Sequence, residues 1–487
     1  MKIIKFYPPL LLYFITLGTG FGQLSISNLM EGQLGKLPTE TSKIFPSIYD
    51  RTEINYRVKG FILETTIEQY HTTSNDRNYV DLSQFSIRYK KNKWDLVIGN
   101  FYETLGRGLL LRSFEIPGAL LEDIGFRSRN YFHRDILGAS VKYRLKKATF
   151  QILRADVLNN VFPPTFSRSE RRTDIVTAAV ANVKYIKGHQ AGIVLMLREQ
   201  EGSTNNHYIS GSVNGVIIKG LDYYSEYASD LKVNNYSFYT GIAGYKGAFS
   251  FTLEYKNYSN FILGAGINEP PALIKQQTYR VLNRSIHVSN PINEKGYQLD
   301  LFYNFKNGTT INFNHSLANN KFSGINATFT QYFFEITSSI GKNIEYKGFL
   351  DYSQDPFKGE NKRYSIGLYT DIAINDKTRI LPEVEYQSFN RGGNQLYNFN
   401  LLLALKITSK FSFSVLGEIT NDPFIIDENN SLRIFLGNTI RYKPDFKNTF
   451  QLFFGERRGG PQCSAGVCYE ILDFKGAEIR WVTRFRK

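Results

Sequence analysis

From about Arg51 to Phe485 the chain alternates polar and apolar residues in segments of roughly ten, joined in rotation by tight turns and longer loops. In Phe249–Lys256, Phe249, Phe251, Leu253 and Tyr255 share one face, while Ser250, Thr252, Glu254 and Lys256 share the other. Tyr297–Phe305 repeats the pattern, with Gln298, Asp300 and Asn304 on its wet side, and Tyr397–Ile407 carries an oily face from Tyr397 to Ile407. A slip of one residue would turn charge into the oily surroundings, so each pattern fixes its own facing. Arg379–Gln387 departs from the rule: Pro382 lacks a ladder donor, which predicts a bulged or shortened strand.

Tight turns fall near Lys59-Gly60, Asn92, Lys147, Lys187-Gly188, Lys219-Gly220, Lys246-Gly247, Asn307-Gly308, Gly341-Lys342, Asn375-Asp376, Ser409-Lys410 and Lys443–Lys447. Between them come longer connections, the largest at Tyr102–Asp135, Leu158–Arg172, Ser259–Lys295 and Thr420–Ser431. Short turns at one end and long loops at the other are the pattern of an outer-membrane β-barrel. With an opening strand near Leu24–Gly32 and a closing strand at Tyr469–Phe485, an antiparallel up-and-down barrel of about 24 strands is predicted, within a range of about 20 to 26. The even count places both termini in the periplasm.

The N-terminus reads as a cleavable secretory leader over residues 1–22. Lys2 and Lys5 precede the apolar core Leu10–Leu17, and Gly20 and Gly22 are the small residues before the cut. Residues 23–487 then form the barrel, and the implied location is the cell outer membrane. Aromatics are 15% of the chain, with 38 Phe and 32 Tyr but 2 Trp, more than a soluble core requires and suited to a lipid-facing wall with aromatic girdles. A soluble propeller should show blade-length repeats, and none is visible. The net charge of +15 is explained by lysines at short turns, such as Lys90, Lys91, Lys93, Lys146 and Lys147, and nucleic acid is not an expected partner. A cationic lumen favouring anions is the sharper alternative.

Cys463 and Cys468, four residues apart from one another in sequence and set in a surface loop, are expected to form a disulfide; with no histidine nearby in sequence, no metal site is expected. Tyr102–Glu115 opens one of the two longest connections, and its apolar Leu109–Leu111 argues against disorder in water. Folded inward, its charges would form a lumen constriction from Glu103, Arg107, Arg112, Glu115, Arg127 and Arg129; the competing reading is an extracellular cap held by ion pairs, or extra strand structure. Ser259–Lys295, with Pro270, Pro271 and Pro291, reads as a folded lid, a partner surface or ordinary loop variation. The six histidines are scattered and His315 and Ser316, adjacent on a strand, point to opposite faces, so neither an enzyme nor a cofactor is expected.

In the last strand Ile479, Trp481, Thr483 and Phe485 alternate toward a near-terminal aromatic. This resembles the signature by which the barrel-assembly machinery recognises its clients, here followed by Arg486 and Lys487. Together with the segment Tyr102–Arg112 and the loop Gly459–Glu470, the whole resembles an uncharacterised family of predicted outer-membrane barrels of Bacteroidota-type bacteria. The resemblance implies fold and location and carries no ligand residues. Two functional classes follow: a porin-like channel for small solutes, or a structural docking subunit of an outer-membrane export or assembly complex. The expected partners are outer-membrane lipid, the assembly machinery during insertion, and other outer-membrane or periplasmic proteins. A barrel of this width needs a filled lumen, by its own loops in the first case or by a partner in the second.

Overall fold

The computed structural model describes residues 22–487 apart from 38–39, 74–76, 123–128, 159–172, 201–204, 265–266, 277, 290–291, 323–324, 424–431, 465–466 and 472. The expected leader, 1–22, falls almost wholly outside these residues. Twenty-four antiparallel strands form one sheet. The first, Gln23–Leu37, pairs with Glu40–Val58 on one side and with the last, Phe474–Arg486, on the other, from Ser25↔Arg486 to Lys36↔Lys475, which closes the sheet into a barrel. Closure matters because an open edge in lipid would leave backbone donors and acceptors unsatisfied. All eleven tight turns expected from the sequence join barrel strands at one end, and the start of the first described strand and the end of the last lie at that end. Lys59 and Asn92 there adopt the left-handed backbone that hairpin turns require.

The facing read from the alternation holds in the strand Phe249–Ser259, where Phe249, Leu253 and Tyr255 are exposed on the outer wall and Lys256 is buried. Rings pair around the short-turn rim: Phe61 with Tyr89 at 4.7 Å, Trp94 with Tyr143 at 4.5 Å, and Phe450 with Trp481 at 5.6 Å. These amphipathic rings suit the membrane–water boundary.

Four features differ from the sequence reading. The opening strand extends past Gly32 to Leu37. The closing strand begins at Phe474, because Tyr469 belongs to a separate two-stranded ribbon of Gly460–Ser464 and Val467–Ile471. Arg379–Arg391 is neither short nor bulged at Pro382. Its pairing with Glu360–Ala373 skips Leu381 and Pro382 but resumes in the same register, Tyr369↔Glu383 and then Ile372↔Ile380. Finally, the inner face is not uniformly polar. In Ala148–Leu158 the buried inward set includes Leu153, Ala155 and Val157, while Ile152 and Arg154 point out. An apolar inner wall is stable only if something dry packs on it, and the long connections supply that.

One wall strand is shaped to release such a connection. Trp94–Phe101 ends after Gly99, whose φ of +104° and approach to the Phe85 carbonyl, 2.1 Å from where a Cβ would stand, exclude any side chain. The Phe85 N–H donates instead to the Asn100 side chain at 2.8 Å, and from Tyr102 the chain leaves the wall.

Candidate functional site in the filled lumen

Both of the longest described connections fold into the barrel. The first, 102–135, turns back at Gly106 and Gly108, with Thr104 opposite Arg112. A Cβ on Gly106 would stand 2.4 Å from the Glu226 carboxylate, so glycine lets the turn press directly onto the wall. Glu226 there accepts the Arg107 N–H at 2.7 Å and the Ser210 hydroxyl at 2.9 Å, and the Arg107 guanidinium lies 4.8 Å from the Tyr224 ring centre. Leu109, Leu110 and Leu111 are fully buried in a cluster with wall residues Leu153, Val176 and Met196. The apolar run that argued against a water-exposed loop is thus the keel of an inserted segment.

The second connection, 260–292, joins the same cluster through Phe261, Leu263 and Ile267. Hydrogen bonds tie the two together: the Arg112 backbone N–H donates to the Ile267 carbonyl at 2.9 Å, and the Asn268 side-chain Nδ2 to the Leu109 carbonyl at 3.2 Å. Glu269, buried between them, has its carboxyl pushed up by burial, against the pull of Arg134 and Arg112. Beyond this point polar contacts with the wall join apolar ones, in which Tyr279, Val281 and Leu282 pack with Phe333 and Phe349, and Ile274 and Ile286 with Ala318 and Phe329. Lys275 bonds Asp300 at 3.0 Å, and the Tyr279 hydroxyl bonds Glu335 at 2.6 Å. A five-residue helix, Arg280–Arg284, follows. Its first N–H groups, of Arg280 and Val281, donate to the Glu385 carboxylate at 3.0 and 2.8 Å, meeting the helix-start donors that have no partner within the helix. The Arg284 fork grips Glu418 with both terminal nitrogens, and Arg363 donates to the Ser285 carbonyl at 2.8 Å. His287 stacks on Phe329 at 4.4 Å and bonds Asp355 at 2.9 Å. Burial opposes its charged form, but Asp355 and Glu294 outweigh burial and raise its pKa above the usual value.

Of the six residues expected at a constriction, five are described, and they meet different partners. Glu103 accepts from Lys142 at 3.3 Å and Gln151 at 2.6 Å. Arg107 lies on Glu226 and Tyr224, and Arg112 on Phe114 at 5.1 Å. Glu115 accepts the Tyr102 hydroxyl at 3.2 Å. Arg129 pairs with Glu31, which Arg480 also holds, beside the seam of first and last strands. Arg127 is outside the described residues. The side chains of Cys463 and Cys468 are likewise outside them, while the backbone sets the two cysteines directly opposite in the ribbon. Ile479 and Phe485 face outward, and Trp481 packs on Phe450. The wall residues Glu385 and Glu418 carry the second segment, and no sequence motif announces them. They lie more than a hundred positions from their partners, and only their inward parity on a strand marks them.

A sequence profile for a family of unknown function (DUF6029) matches residues 48–116 and 245–485. Among curated proteins none matches. Solved structures share the fold at low identity. The translocation pore of the P pilus usher PapC is 8% identical with a TM-score of 0.50, over 94% of this chain and 98% of that one. A chain of the E. coli P pilus tip assembly intermediate PapC-PapD-PapK-PapG is 8% identical with a TM-score of 0.54, over 96% and 61%. Pseudomonas aeruginosa OccK5 (OpdH) is 13% identical with a TM-score of 0.41, over 72% and 98%.

Proposed function

Taking as premise that the chain belongs to the family of unknown function DUF6029, we propose that it is a porin-like outer-membrane channel for small solutes, closed at rest by its own two inserted segments. The observation that carries this reading is the manner of filling. Beyond Lys275 the segment 260–292 buries Val281 and Leu282 against wall aromatics, but a run of hydrogen bonds and ion pairs also ties it to the wall, and these water and polar solutes can replace, as they cannot replace a dry apolar core. A plug meant only to seal would have no need of such exchangeable fastenings. The outward aromatic wall supports contact with outer-membrane lipid, and Ile479, Trp481 and Phe485 are proposed as the feature read by the assembly machinery. Cys463 and Cys468 are proposed to be disulfide-bonded, since residues directly opposite in an antiparallel ribbon have Cα atoms about 4.5–5.5 Å apart, inside the range a disulfide spans.

The test is planar-bilayer recording of the purified full-length protein beside a variant lacking residues 278–289. The channel reading expects low, fluctuating conductance from the first and a larger, steadier one from the second. Silence from both would reject it. The fold shared with the P pilus usher favours a second reading, a docking subunit of an export or assembly complex. Stoichiometric co-purification of other outer-membrane or periplasmic proteins in mild detergent would place that reading first.

A further inference from the structure

The chain carries a net charge of +15, yet the buried wall of the lumen has the opposite character. Carboxylates such as Glu31, Glu68, Glu226, Glu385, Glu418 and Glu478 outnumber buried cations on the 24 barrel strands, which among the described residues are Arg51, Arg198, Lys256 and Arg363, with Arg129 and Arg134 buried on the first inserted segment. The contrast is sharpest beneath the second inserted segment. Glu385, Asn400 and Glu418 stand directly opposite one another on three adjacent strands, each 2% exposed. The Asn400 amide nitrogen turns toward Glu385 at 3.4 Å, and its Oδ1, buried in the same row, has no hydrogen-bond partner. The row therefore presents two carboxylates and an unused amide oxygen, all acceptors. Its donors come from the Tyr369 hydroxyl and from the inserted segment, whose Arg284 fork fits Glu418 and whose Arg280 lies 3.9 Å from neighbouring Glu383.

Resting on the channel reading, we propose that this acceptor row is a recognition track for small guanidinium-bearing solutes, and that Arg280 and Arg284 occupy it as a built-in stand-in for them. A carboxylate-bearing solute entering the row meets the like charge of Glu385 and Glu418. An ammonium brings charge alone. A guanidinium brings charge and a planar fork of donors matching the bidentate contact that Arg284 makes with Glu418. A solute that competes for Glu418 and Glu385 shifts the segment toward its displaced state in proportion to its preference for that state. The solute then opens the path it travels.

The test records wild-type protein and three single variants, Arg284→Ala, Glu418→Gln and Glu385→Gln, in planar bilayers, with L-argininamide or L-glutamate as the probe. Each variant is first checked for folding by its heat-modifiable migration in SDS gels, and Glu385→Gln stands in if Glu418→Gln does not fold. We expect L-argininamide to raise wild-type open probability about fivefold or more, the lower end of ordinary coupling. L-glutamate should leave it unchanged, the carboxylate variants should lose the response, and Arg284→Ala should be open without any probe. A conducting wild type indifferent to L-argininamide, or equally responsive to L-glutamate, overturns the inference and leaves the channel reading standing. No conductance from wild type or Arg284→Ala overturns the channel reading and this inference with it.

Discussion

Gly106 and His287 fasten the two inserted segments by different physics. Gly106 combines a left-handed φ of +59° with contact against Glu226, so a β-branched side chain there meets both backbone strain and a displaced carboxylate. Gly106→Val is expected to break the bond from the Arg107 N–H to Glu226. Amide exchange over 104–112 should then speed up on the order of tenfold, the equivalent of about 1.4 kcal/mol; an unchanged exchange rate would show that the turn does not bear on the wall. His287 is a matter of charge. Asp355 and Glu294 face it, with Lys256 and Lys358 close by on the wall and the adjoining turn. Because its folded pKa is raised, the stability it contributes is fully present below the unfolded value of about 6.5 and is lost as pH rises through the folded value. The segment 278–289 should therefore loosen on the alkaline side, seen as rising open probability between pH 6 and pH 9. His287→Asn should flatten that rise; a wild type that loosens as pH falls contradicts the assignment.

At the scale of the element, Leu109–Leu111 holds the first segment by burial, and Arg280–Ser285 holds the second by hydrogen bonds together with burial of Val281 and Leu282. Leu110→Ala leaves a cavity against an inner wall that is itself apolar, and local opening of 102–112 should become easier by about 2–5 kcal/mol. Hydrogen exchange would measure this, and a change below about 0.5 kcal/mol would mean that the run does not anchor the segment. The same elements show what the sequence makes legible. Strands such as Phe249–Ser259 declare themselves, because one lipid-facing and one inward-facing side impose a period of two on every residue. Turns declare themselves through Gly, Asn and Asp. The apolar run Leu109–Leu111 signals that its segment is not solvated, but it does not say which wall receives it. The pairing of Arg284 with Glu418 is invisible, since it joins residues 134 positions apart and depends on how the barrel curves. The closing strand starts at Phe474 rather than Tyr469 for a related reason: a short ribbon alternates like the strand it precedes.

For the whole molecule, twenty-four strands set a lumen too wide to be left open, and the chain resolves this without a separate plug domain among its described residues. The strands bury the backbone, the outer aromatics meet lipid, and the inner wall is apolar where the first segment packs and joins buried aromatics to carboxylates where the second one lies. Much of the positive charge counted in the sequence stands at the short turns, as in Lys90, Lys91, Lys93, Lys146 and Lys147, so net charge and lumen character have opposite signs. The central claim is that the segment 260–292 lies inside the barrel and not above it. Its most direct test is a cysteine pair, Ser285→Cys with Gln387→Cys, built where the two side chains touch at 3.1 Å, in a background with Cys463 and Cys468 replaced by serine. Mild oxidation in intact outer membranes is predicted to give a high yield of an intramolecular cross-link with altered mobility on non-reducing gels. No cross-link in a protein that retains its heat-modifiable folded form would contradict the account and place the segment outside the lumen.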